Sequence, residues 1–294
     1  MASSDSHSST LRRRRLAKTL GQLRGAAGMT AEEAAAELKK TGGRWSKSKV
    51  SRIEDPQQAA PTPRDVRDML DLYGVDDQRQ RDALTQLAAQ AQQLGWWTAY
   101  DDVFRGSHIG FEAEASVIHN FEALCVPGLL QTEGYARATI EAGVVAEPER
   151  TADEVDRRVE ARMKRQEILD RQRPPQLWAV IDEAALRRPV GGTETMRGQI
   201  DRLAEASGRP NITLQVIPTS AGAHVGMGGP FAILEFPHPD DAPVVFLEAA
   251  TEHLFLEEQG QIRQYKLRFD HLRANALGPD ESVRFMNAIK DQFR

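Results

Sequence analysis

Apolar residues recur at helical spacing through the first quarter of the chain. Leu16, Leu20 and Leu23 share one face of residues 14–26, and Gly28 stops that run. Thr30-Ala31-Glu32-Glu33 has the form of a capping box, so a second helix is predicted from Ala31 to about Lys40, closed by Gly42-Gly43. Ser46 is the next cap and opens a short helix through Glu54, with Pro56 as its stop. Thr62-Pro63 opens a fourth, through Val66, Met69, Leu70 and Leu72 to Gly74. Residues 77–94 read as a polar, Gln-rich helix with a narrow seam of Leu84, Leu87, Ala91 and Leu94, followed by Gly95-Trp96-Trp97.

Beyond that point the period changes. LWAVID (177–182), ITLQVI (212–217), FAILEF (231–236) and VVFLE (244–248) read as strands. Between the first two, Met196, Ile200, Leu203 and Ala204 line one helical face and Gly208 ends it, which predicts a strand–helix–strand crossover. Val155, Val159 and Met163 mark a helix over 154–169. The tail reads as two more, one with Ile262, Tyr265, Phe269 and Leu272, the next starting at Pro279 with Val283, Met286 and Phe293. The expected fold is α+β: an all-α domain followed by an α/β domain with a mixed sheet and C-terminal helices. The expected division is a disordered tail over 1–11, a helical domain over 12–76, a linker helix over 77–97 and the α/β domain over 98–294.

Composition adds little until it is split along the chain. Overall the charge is −5, yet residues 1–60 hold 12 of the 38 Lys and Arg but only 6 of the 43 Asp and Glu. A basic head on an acidic body is the footprint of phosphate contacts confined to one domain. One cysteine, Cys125, excludes an internal disulfide framework and a multi-cysteine metal site. No secretory signal and no apolar run of membrane-spanning length occurs, so a soluble, cytoplasmic protein without a membrane partner is expected.

Two short helices joined by a Gly-containing turn form a helix-turn-helix unit. In its second helix Val50 and Ile53 can anchor one face, leaving Ser46, Lys47, Ser48, Lys49, Ser51 and Arg52 on the rest, with no acidic residue before Glu54. Short hydroxyls allow close backbone approach, while Lys and Arg reach bases or phosphates of double-stranded DNA. Lys47, Ser48 and Ser51 are the expected base-edge contacts; Lys49, Arg52 and Arg44 are the expected phosphate contacts. Arg12 to Arg15 read equally as an arm along phosphates or a basic tail. A single unit of this kind seldom binds tightly enough alone, so a homodimer is expected.

The pairing of LRGAAGMT with KVSRIE over residues 18–76 resembles the XRE/Cro-like family of repressors. That resemblance implies five helices, the third entering the major groove, and a structural ion pair that maps onto Arg24 and Glu54. The sequence departs from the family at Ala31, where glutamine is common, and in the longer TGGRW turn, where Arg44 on the backbone and Trp45 by packing can compensate. Farther on, VPGLLQTEGYARA, DEAALRRPVGG, NITLQVIP, AGAHVGMGGPFAILEFP and VVFLEA resemble a domain of unknown function that follows such helices in many actinobacterial regulators, over about 98–290. That likeness implies a regulator, often beside a small partner protein encoded nearby, and supplies neither ligand nor reaction.

Candidate chemistry in the second domain is sparse. The glycine-rich loop 222–230 could line a ligand pocket with His224, Gly226, Gly228 and Gly229, or be a tight turn with a structural histidine. No nucleophile elbow or zinc-binding helix motif occurs, and adjacent Glu252 and His253 would diverge on a helix. Glu112 and Glu114 fall on a helical stretch. Asp182 can border a pocket at a strand end or cap the next helix. The basic run from Arg157 to Arg165 reads as a solvated face with pairs such as Glu160–Lys164. The expectation is therefore a DNA-binding regulator without enzymatic activity, cofactor or metal, controlled by an unknown small-molecule effector or a small protein. The alternatives are an antitoxin-like protein with autoregulatory DNA binding, and an enzyme domain targeted to DNA.

Overall fold

The structure, a computed structural model, describes residues 9–55, 60–92, 95–100, 103, 108–143, 151–239, 241–248 and 253–293. Pro56, Leu94 and Glu252, which figure in the expectations above, lie outside them. The chain forms two compact units, Met1–Ala99 and Tyr100–Arg294.

Among its described residues the first unit holds five α-helices: α1 (Ser9–Ala26), α2 (Ala31–Lys40), α3 (Lys47–Ile53), α4 (Pro63–Leu72) and α5 (Gln78–Ala91). Thr30 and Thr62 make the reciprocal bonds of capping boxes, and Ser46 accepts from the Lys49 N–H at 3.1 Å. Leu16, Leu20, Leu38, Val50, Val66, Met69 and Leu70 share one core.

Two expected boundaries shift. Helix α1 begins at Ser9, so residues 9–11 belong to it rather than to a disordered tail, and Leu11 is buried. Arg12 to Arg15 are therefore helical and half-buried, not an arm. Helix α5 is no linker either. It packs on α1 and α4, with Leu84 and Ala88 in the common core, because its narrow seam needs a partner and finds one within the unit.

The second unit is built on a six-stranded sheet of β1 (Val117–Glu122), β2 (Gln176–Asp182), β3 (Ile212–Ile217), β4 (Phe231–Glu235), β5 (Val244–Glu248) and β6 (His253–Leu256), in the order β3-β2-β1-β4-β5-β6. Strands β1, β2 and β3 run parallel; β4, β5 and β6 continue antiparallel, so the sheet is mixed as expected. The crossover from β2 to β3 carries α9 (Glu183–Arg187) and α10 (Thr193–Ala206).

One face, with Phe121, Val180, Phe231, Ile233 and Val245, packs under Ile262, Phe269 and Leu272 of α11 (Gln259–Asn275). The outer edge of β3 is closed by the turn into α12 (Pro279–Lys290): Leu277 N–H donates to Val216 O at 2.9 Å, and Val216 N–H to Ser282 Oγ at 3.0 Å. The remaining helices are α6 (His108–Glu114), α7 (Glu133–Gly143) and α8 (Ala152–Gln166). Strands β1 and β6 were not foreseen, and His253 lies in β6 rather than on a helix.

Candidate nucleic-acid interface

Helix α3 is seated by two residues and open around the rest. Val50 and Ile53 are buried, while Ser46, Lys47, Ser48, Ser51 and Arg52 are exposed, as is Arg44 on the approaching turn. Trp45 packs into the core, 3% exposed, and leaves so little room beside it that a side chain at Gly43 would meet its indole nitrogen at 2.6 Å. The turn between α2 and α3 is thus pinned from beneath. Lys47 reaches Glu32 at 3.2 Å, but both side chains are mostly in water, and such a pair yields readily to a phosphate or a base.

Lys49 departs from expectation. Its Nζ lies 2.6 Å from Asp65 Oδ1 and 4.1 Å from the Trp45 ring centroid, which ties α3 to α4 rather than to a phosphate. Burial alone would raise the Asp65 carboxyl, but hydrogen bonds from Lys49 and Thr62 outweigh it and hold the group low. The physical reason is position: Asp65 is already fixed as the N3 residue of the α4 capping box, so its second oxygen faces α3 at no further ordering cost. Lys49→Met should therefore cost about 1–2 kcal/mol of stability in the first unit and leave the salt dependence of DNA binding unchanged. Thermal melting and a salt titration check both halves.

Behind α3, Arg24 grips Glu54 with two nitrogens, Nε to Oε1 and Nη2 to Oε2 at 2.8 Å, and gives Nη1 to the Met29 carbonyl at 2.6 Å. Glu54's hydrogen bond pushes the guanidinium pKa further up despite partial burial. The pair joins α1 to the C-terminal cap of α3, in the place the repressor resemblance implies. The Tyr73 hydroxyl is buried nearby with no hydrogen-bond partner among the described residues, and burial pushes its pKa well above the usual phenol range.

A helix-turn-helix domain model matches residues 15–84 and the model "Domain of unknown function (DUF5753)" matches 106–288. The chain belongs to the DUF5753 family. The helix-turn-helix match extends into α5, in keeping with its place in the first core. No curated protein and no solved structure matches the chain. Among the described residues no helix is long and apolar enough to cross a membrane.

In the DUF5753 domain, His224 is held rather than free. Its Nε2 lies 3.0 Å from Asp182 Oδ2, its Nδ1 accepts from Gly226 N–H at 3.2 Å, and its side chain is 8% exposed. Asp182 also caps α9 through Ala184 N–H at 2.8 Å, which is the capping reading. Gly226 sits against Phe121 and Leu272, where a Cβ would overlap the Phe121 ring. Gly229 needs its glycine for another reason, a φ of 120°. Gly228 and Gly229 border a shallow hollow with Leu247 and Tyr265, which His224 does not line.

Sequence reading missed a buried charge cluster. It took the basic run of α8 as solvated, whereas Arg165 turns inward to a bidentate pair with Glu112 of α6, and His108 Nε2 lies 2.9 Å from Arg165. Lys164 pairs with Glu167 at 2.9 Å, and Glu160 accepts from the Tyr100 hydroxyl at 2.8 Å. The signal was faint: His108 and Glu112 share a helical face only four residues apart. Among the described residues no three His, Cys, Asp or Glu side chains converge as metal ligands.

Proposed function

We propose that the chain is a sequence-specific transcriptional regulator of the XRE type, in which α3 lies in the major groove of duplex DNA. Lys47, Ser48 and Ser51 read base edges, Arg44 and Arg52 hold phosphates, and two copies acting as a homodimer in the cytoplasm match a palindromic operator. The DUF5753 domain acts by binding a small molecule or a small protein rather than by turnover. The observation that carries the reading is the contrast across α3: two buried apolar residues beneath, and outward hydroxyls and cations with no acidic residue among them.

Lys47→Ala should relax specificity, costing about 1–3 kcal/mol on the preferred site and little elsewhere. Arg52→Ala should weaken all duplexes alike and flatten the slope of log K against log salt by about 0.9. Fluorescence anisotropy on specific and scrambled duplexes measures both. If neither variant differed from the parent, α3 would not be the reading helix.

A further inference from the structure

Large apolar side chains stand exposed at one end of the DUF5753 sheet. Leu124 follows β1 by two residues, Val225 and Met227 precede β4, and Leu254 lies in β6 opposite Leu247 of β5. The pairings Phe121 with Phe231, Ala232 with Phe246 and Leu247 with Leu254 bring these segments to the same end. Apolar side chains gathered on a surface in this way mark a place where something docks.

Met227 is the most exposed of them, at 74%, and its turn is pinned. Beneath it Gly226 packs on Phe121 and Leu272. Met227 N–H donates to His224 O at 3.2 Å, and Gly229 N–H to Gly226 O at 3.0 Å. His224, itself held by Asp182, accepts the Gly226 N–H. The methionine is thus presented on an ordered backbone, which lowers the cost of meeting a partner. Beside it opens a hollow of about 130 Å³, lined by Val225, Gly228, Phe231, Leu247 and Tyr265. A cavity of roughly 150 Å³ takes up benzene, so this one has room for a single side chain. A Cβ at Gly228 would meet nothing within 4 Å, so packing inside the domain does not call for glycine there, and its bareness keeps the mouth wide. Glu248 and Arg268 stand on the rim, both exposed, and neither makes an ion pair among the described residues.

A two-fold interface sets one patch against itself, so the patch must be self-complementary. This one supplies both halves of each contact: a knob beside a hollow, and an anion and a cation on one rim. We propose that it is the surface through which two copies of the chain pair, Met227 of each copy entering the hollow of the other and Glu248 of each facing the other's Arg268. A different protein would have to bring its own knob and its own charges; a second copy already carries them. This inference deepens the homodimer proposed above and rests on that reading only for what the pairing does on DNA.

The test is sedimentation equilibrium of the full chain without DNA, from about 1 to 100 µM. The parent should pass from monomer to dimer. Met227→Glu should raise the dimer Kd at least tenfold, since it puts a charge into an apolar hollow. Glu248→Arg and Arg268→Glu should each raise it about fivefold or more, because each sets like charges face to face. The two reversals combined should return Kd to within about threefold of the parent. All three side chains are exposed, so the variants should keep the parent's circular dichroism; were Met227→Glu to unfold, the charge reversals decide alone. The proposal is overturned if the parent stays monomeric, if folded Met227→Glu dimerises like the parent, or if the combined reversal pairs no better than the single ones. A dimer indifferent to every variant would leave the homodimer standing on another surface. Duplex binding is titrated separately, so the reading of α3 stands or falls on its own.

Discussion

Replacing Glu112 with glutamine is expected to destabilise the DUF5753 domain by about 3–5 kcal/mol. Glu112 is 2% exposed and gives both oxygens to Arg165, with His108 Nε2 3.5 Å from one of them. Glutamine keeps the shape but removes the charge, leaving a guanidinium inside the domain without its anion. For a unit of this size the loss corresponds to a melting temperature lower by roughly 6–20 °C. A double replacement, Glu112→Leu with Arg165→Met, should recover most of it, because apolar side chains of similar volume avoid the desolvation that the pair must offset.

Two carboxyls of this domain should make its stability depend on pH in opposite senses. Burial alone would raise Glu112, but the charge and hydrogen bonds of Arg165 outweigh it and draw the carboxyl down to about 2. Its folded value is below the unfolded value of about 4.3, so its stabilisation is complete above that pH and is lost as pH falls toward 2. Glu122 runs the other way. Its folded value of about 7 lies above the unfolded one, so stability falls as pH rises from about 4.3 through 7. Melting temperature against pH should therefore fall on both sides of a mildly acidic optimum. Glu112→Gln should weaken the acid limb, to which the lowered His108, His119 and Glu183 also contribute, and Glu122→Gln should weaken the neutral one.

What was legible in the sequence was local. Thr30, Ser46 and Thr62 cap helices because a cap needs only its own next three residues. Strands β2, β4 and β5 carry continuous apolar runs and β3 alternates apolar residues with Thr213 and Gln215, so all four are legible. Strand β1 was missed although it is central, since VIHNFE buries only Ile118 and Phe121, three apart, which is not a strand's period. In the first unit the α3 face was legible because Val50 and Ile53 fix which way it turns. The role of Lys49 was not, because its partners Asp65 and Trp45 come from α4 and the preceding turn, and a cation's partner is set by packing between elements. Arg165 escaped for the same reason: on a helix wheel it sits among glutamates that also mark a solvated face.

Arg24→Met is the change with the largest expected effect on the DNA-binding unit, and it should act without touching DNA. Arg24 fastens α1 to the end of α3 through Glu54 and to the turn before α2 through the Met29 carbonyl. With side-chain exposures of 22% and 12%, the pair is partly screened, so the expected loss is about 2–3 kcal/mol rather than the full cost of a buried pair. In a unit of about this length that lowers the melting temperature by roughly 8–24 °C. Glu54→Gln should cost less, since an amide oxygen still accepts from the guanidinium. Neither residue lies on the outward face of α3 proposed to meet the duplex, so at a temperature where the variant remains folded affinity for the preferred site should stay within about threefold, less than the loss for Lys47→Ala. Stability lost with recognition kept is the signature of a residue that holds the reading helix in place; recognition lost while the fold is intact would put Arg24 in the interface itself.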